Sequence, residues 1–166
     1  MSAVWPAFVF GGCRKKAPAP SRSTGNGAPA AGEASLVIEP RVGVGQVKFG
    51  ATADQVEQSL GEPSSTVASG AILVYGNLGL TITFREGAVS AISCGDSKDK
   101  DADAVKACRC RTKEGIGIGS TEEEIIAAYG QPARRRESQL IYTALSARFV
   151  VVDGKVIGMW FQRPRR

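Results

Sequence analysis

Phe49-Gly-Ala-Thr-Ala-Asp-Gln-Val-Glu-Gln-Ser-Leu-Gly-Glu-Pro63 returns along the chain as Ile118-Gly-Ser-Thr-Glu-Glu-Glu-Ile-Ile-Ala-Ala-Tyr-Gly-Gln-Pro132, displaced by 69 residues (118 minus 49) without a gap. A second block follows in step: Tyr75, Leu78, Glu86, Gly87 and Val89 recur as Tyr142, Leu145, Asp153, Gly154 and Val156, displaced by 67. Self-similarity at one period marks an internal duplication, and it stops the glycines being misread as a cofactor loop.

Each copy carries the same punctuation. Thr52 with Gln55, and Thr121 with Glu124, fit a capping box, in which residues three apart satisfy each other's backbone donors at a helix start. Acidic residues crowd the first turn, Asp54 in copy one and Glu122, Glu123 and Glu124 in copy two, as the helix dipole favours. Gly61 and Gly130 read as left-handed C-caps, and Pro63 and Pro132 forbid continuation, so the helices should be brief, residues 53–60 and 122–129.

Three strands are expected after each helix: 71–75, 79–85 and 88–94 in copy one, 139–142, 147–152 and 155–161 in copy two. Leu80, Ile82 and Phe84 alternate with Thr81, Thr83 and Arg85, the pattern of a strand with one face buried. Phe149 to Val152 is apolar on both faces, which predicts that copy two is covered on both sides. Glu86-Gly87 and Asp153-Gly154 read as tight hairpin turns. The fold class expected from these elements is α+β: two tandem αβββ repeats with antiparallel sheets, each with a short helix packed on its sheet.

The chain has 166 residues and 43% hydrophobic content, enough for one core or two small ones that share an interface. No apolar run approaches the roughly 20 residues that span a bilayer as a helix. The net charge of +5 resides in the ends: residues 13–35 carry +3 and Arg163, Arg165 and Arg166 add +3, leaving −1 for the span between (5 minus 6). Basic ends without a basic, aromatic-studded face argue against a nucleic-acid partner.

Val4-Trp-Pro-Ala-Phe-Val-Phe-Gly-Gly-Cys13 is a short apolar segment closed by two small residues and a cysteine, and it resembles the lipobox of bacterial lipoproteins. In that family the chain is cut before the cysteine, which is lipidated, so the resemblance implies lipidation at Cys13. The segment departs from the pattern at Phe10, where an aliphatic residue is usual, and in having no Lys or Arg before the apolar run. Residues 14–35 are dense in Pro, Gly, Ala and Ser with no large apolar side chain, the composition of a disordered spacer. The expected organisation is a signal or lipobox-like segment (1–13), a linker (14–35), repeat one (36–95), an inter-repeat loop (96–113), repeat two (114–162) and a basic tail (163–166).

The pattern Gly-x-Thr-x-x-x-Val-x-x-x-Leu-Gly-x-Pro, followed by a Tyr and then a strand with Gly-x-Val, resembles the BamE (SmpA/OmlA)-like lipoproteins of the outer-membrane barrel-assembly machinery. β-Lactamase inhibitory proteins carry a tandem version of that fold. The resemblance spans residues 43–161 and implies a non-enzymatic, membrane-tethered envelope protein that binds another envelope protein in an assembly or scaffolding role. The alternatives it leaves are an enzyme inhibitor, or a small-ligand module using Tyr75, Tyr142 and Trp160, whose blander role is core packing.

Other chemistries fail on spacing. Gly115-Ile-Gly-Ile-Gly-Ser-Thr121 lacks both the Gly-x-Gly-x-x-Gly of a dinucleotide loop and the Gly-Lys of a P-loop. Asp99-Lys-Asp-Ala-Asp103 opens like a calcium loop, but Ala104 and Cys110 stand where the required Gly and Glu belong. With no histidine in the chain, Ser-His and Cys-His nucleophile pairs are excluded, and no enzyme, cofactor or metal is expected.

Two features remain. With Cys13 set aside, Cys94, Cys108 and Cys110 are an odd set that closes at most one bridge; joining Cys94 to either partner would stabilise the junction by about 3 kcal/mol. Zinc is the rival, but three cysteines without a histidine lack its usual four ligands. Arg134, Arg135 and Arg136 are expected in a loop, where copy one has only Ser65, Thr66 and Val67. They are the candidate contact for a partner's carboxylates or acidic lipid headgroups.

Overall fold

The computed structural model describes residues 36–95 and 103–164. Cys13, the lipobox-like segment, the linker and most of the calcium-like loop lie outside the described residues. The described residues open with three short strands, β1 (Val37–Glu39), β2 (Gly43–Val44) and β3 (Val47–Lys48), before helix α1 (Ala53–Leu60). Four strands follow: β4 (Ser65–Val67), β5 (Ile72–Tyr75), β6 (Leu80–Arg85) and β7 (Ala88–Cys94). A short helix α2 (Asp103–Ala107) and strand β8 (Arg111–Thr112) then lead into helix α3 (Glu122–Tyr129). The last four strands are β9 (Arg134–Arg136), β10 (Gln139–Tyr142), β11 (Ala147–Val152) and β12 (Lys155–Gln162).

The strands form two sheets, and this corrects the expected layout of two αβββ repeats. One sheet has eight strands in the order β4-β5-β6-β7-β12-β11-β10-β9; the other has four, in the order β3-β2-β1-β8. With twelve strands against three short helices among the described residues, the fold is mainly β. Each copy gives four strands to the large sheet, and the halves fuse where β7 pairs antiparallel with β12, Ser93 opposite Trp160 and Cys94 opposite Met159. The driving force is burial. Strands β7 and β12 bury more residues than the other described strands, and left as edges they would expose unpaired backbone beside Ile92, Cys94, Met159 and Phe161.

The duplicated positions hold equivalent places in this frame. Both capping boxes form: Gln55 Oε1 accepts from the Thr52 amide at 3.0 Å, and Glu124 Oε2 accepts from the Thr121 amide at 2.8 Å. The Gly50 amide donates to the Val89 carbonyl and the Gly119 amide to the Val156 carbonyl, anchoring each helix entry to its hairpin. The register slips between Thr83 and Phe84 and again between Val150 and Val151, 67 residues on. The C-caps differ from expectation. Gly61 (φ 81, ψ −168) and Gly130 (φ 76, ψ −164) leave the left-handed well for an extended conformation open essentially to glycine alone. That conformation turns each glycine carbonyl towards the sheet, where the Tyr75 hydroxyl donates to Gly61 at 3.2 Å and the Tyr142 hydroxyl donates to Gly130 at 2.9 Å.

One face of the large sheet carries the core. Leu73, Tyr75, Leu80, Ile82, Ile92 and Cys94 from copy one meet Met159, Phe161, Phe149, Tyr142 and Leu140 from copy two, all buried. Val56 of α1, Ile125 of α3 and Ile38, Val44 and Val47 of the small sheet belong to the same apolar cluster. The expectation that copy two is covered on both faces also fails, since Val150, Val151 and Val152 are only half-buried.

The small sheet explains how the junction is held. Strand β1 pairs parallel with β8, Ile38 opposite Thr112, and the Arg111 amide donates to the Leu36 carbonyl at 2.9 Å. The span expected as an inter-repeat loop therefore contains α2 and β8, tied to the start of the described chain.

Candidate functional site

On the outer face of the large sheet the register sets one residue from every strand in a single row. Ser65, Val74, Thr81 and Ser93 lead from the β4 edge to the centre, and Trp160, Arg148, Ile141 and Arg134 continue to the β9 edge. The halves of the row are related by the duplication: Ser65 matches Arg134, Val74 matches Ile141, Thr81 matches Arg148 and Ser93 matches Trp160. Small residues occupy the copy-one half, and large aromatic and cationic ones the copy-two half.

Within that half, the Arg148 guanidinium carbon lies 4.1 Å from the centre of the Trp160 ring, a cation–π contact between neighbours on adjacent strands. Among the described residues, Arg148 Nε is buried with no hydrogen-bond partner. Such a donor costs about 1–3 kcal/mol until an acceptor reaches it. An open cleft of about 650 Å³ adjoins the stack, lined by Arg41, Ile141, Arg148, Trp160, Gln162 and Arg163 among others, so three arginines converge on one hollow.

The arginine triplet lies in a strand, not a loop. As edge strand β9 it alternates, and this splits the triplet. Arg134 and Arg136 stand opposite Ile141 and Gln139 on the outer face, whereas Arg135 stands opposite buried Leu140 on the inner side. There Arg135 makes a salt bridge with Glu122 in the first turn of α3. Charged residues on an edge also discourage pairing with another chain's strand, a structural use that needs no ligand.

Tyr75 and Tyr142 are core residues, their hydroxyls engaged by the helix-end carbonyls and their pKa values raised chiefly by burial. Trp160 alone of the three proposed ligand aromatics faces outwards. Arg148, Arg41 and Arg163 carried no motif; the pairing register places Arg148 beside Trp160, and Arg41 and Arg163 join it only through the shape of the cleft.

A second site lies beneath the inner face. Cys94 ends β7, and Cys108 and Cys110 lie between α2 and β8; their three Sγ atoms fall within 4.8 Å of one another. All three are buried, free thiols. The strand end is fixed by Gly95, whose φ of +64 suits glycine and where a Cβ would meet the Ile157 carbonyl oxygen at 2.7 Å. The Cys108 thiol is pulled down because Cys110 and Cys94 hydrogen-bond to it and the Arg109 charge is near. Cys94 is pushed up chiefly by burial, and Cys110 chiefly by its bond to Cys108. Cys108 is thus the first of the three to ionise. The arrangement brings Cys94 against both bridge candidates without choosing between them. Comparisons of this chain with protein-family models, with curated proteins and with solved structures returned no match.

Proposed function

We propose that this chain is a non-enzymatic binding protein of the bacterial cell envelope, tethered through a lipid on Cys13, whose domain holds an acidic surface of another envelope protein. The observation that carries the binding role is the asymmetric row. One half of the outer face concentrates Trp160, Arg148, Ile141 and Arg134, and such aromatic and arginine side chains carry most of the energy in protein interfaces. The unpartnered Arg148 Nε and the arginine-lined cleft favour a partner that supplies carboxylates. The tether rests on the Cys13 context and the spacer composition.

Membranes solubilised in mild detergent and passed over the immobilised domain test the binding role. The wild-type chain should retain an envelope protein, and Trp160→Ala should weaken that binding at least about 30-fold, as truncating an interface hot spot does. Equal retention by both chains would remove the outer face from the account, while capture of a hydrolase that loses activity on binding would make the domain an inhibitor. Globomycin, which blocks lipoprotein signal cleavage, tests the anchor separately: an unchanged mature mass and a soluble chain would refute it.

A further inference from the structure

The three-cysteine cluster has a chemistry of its own, independent of the outer face. Three thiolates around one trigonal ion, with metal–sulfur bonds of about 2.3 Å, stand about 4 Å from one another. The Sγ atoms already lie within 4.8 Å, so small side-chain rotations close the triangle. Zinc in a structural site asks for four ligands, and the donor set stops short of that: the chain has no histidine, and no carboxylate joins the group among the described residues.

The neighbour that does adjoin is another sulfur. Met159 stands directly opposite Cys94 across the β7–β12 pair, on the same face and 1% exposed. Thiolate and thioether donors suit soft ions, and with three thiolates falling short of the four ligands of structural zinc or an iron–sulfur cluster, the set favours Cu(I). The Arg109 guanidinium, bonded to the Lys106 and Cys108 carbonyls, places a positive charge beside the anionic site. Cys108, at 7% the most exposed of the three, gives the ion a way in.

We infer that Cys94, Cys108 and Cys110 form a trigonal thiolate site for Cu(I), with the Met159 thioether beside it. The test uses the reduced full chain carrying Cys13→Ser, so that only the three buried thiols are counted, titrated anaerobically with Cu(I) in competition with bicinchoninate. One Cu(I) per chain should be retained, and an equal concentration of Zn(II) should not displace it. Cys108→Ser should weaken retention more than 100-fold, and volume-conserving Met159→Leu about tenfold. Loss of Cu(I) to the chelator, equal uptake by Cys108→Ser, or preferential retention of Zn(II) would each overturn the site. If circular dichroism finds Cys108→Ser unfolded, X-ray absorption on the unmutated cluster decides: a shell of three sulfurs at about 2.3 Å supports the assignment, and an oxygen or nitrogen shell refutes it.

Discussion

The two copies agree along their inner face and part on the outer one. Tyr75 and Tyr142 tie equivalent helix ends to the sheet, the strands slip register at equivalent places, and both helix entries bond to the same hairpin position. On the outer face Ser65, Val74, Thr81 and Ser93 are answered by Arg134, Ile141, Arg148 and Trp160. The inner face must fill one shared core, so its shape constrains both copies. Among the described residues no second core lies against the outer face, so its side chains are held less tightly to one shape, and their divergence is what the proposed binding role rests on.

The inner faces agree in framework and differ in several side chains, a difference that mutation can probe. Copy two builds its core from rings: Phe149 stacks with Tyr129 at 5.8 Å and meets Tyr142 and Phe161 edge-on. Copy one has Ile82 at the matching place. Phe149→Ala should therefore cost about 4 kcal/mol and Ile82→Ala about 3 kcal/mol, read from urea unfolding. A larger loss at Ile82 would mean the rings do not distinguish the copies.

Shared positions should respond alike. Tyr75→Phe and Tyr142→Phe each remove one hydrogen bond to a glycine carbonyl and should each cost about 1 kcal/mol in the same assay. A difference above about 1 kcal/mol between them would break the equivalence of the two helix anchors.

The smallest expected effect belongs to copy two alone. The Tyr129 hydroxyl donates to Glu114 and holds its carboxyl below the usual range. A depressed folded value gives stability that is present above the unfolded pKa, about 4.3, and lost as the pH falls through the lower folded value. Glu114→Gln should lose a few tenths of a kcal/mol at pH 7, because the site is open to solvent screening, and nothing once the carboxyl is protonated. A loss that persists unchanged in acid would assign the effect to packing.

Local signals in the chain were legible and pairing was not. Capping boxes at Thr52 and Thr121, hairpin glycines and the alternation of Leu80, Ile82 and Phe84 each lie within a few residues of their consequence, so helices α1 and α3 and six strands could be read directly, while α2 could not. Strands β4 and β9 could not, because Ser-Thr-Val and Arg-Arg-Arg become strands only by pairing with β5 and β10. The fusion of the two half-sheets at β7 and β12, which overturns the two-repeat layout, is a contact between residues about 67 apart and leaves no mark in a local window. The same holds for the candidate sites. Cys94 is distant in sequence from Cys108 and Cys110, and Arg148 meets Trp160 only through the register.

The proposed function requires that one frame carry two outer faces, of which one binds. Replacing Arg148 by Thr and Trp160 by Ser puts copy-one residues on the copy-two half and leaves the inner face untouched. Binding of the captured envelope protein, measured by calorimetry beside the urea unfolding of the same double variant, tests that claim most directly. Stability within about 1 kcal/mol of wild type and affinity reduced at least about 100-fold are expected. Undiminished affinity in the folded variant would contradict it.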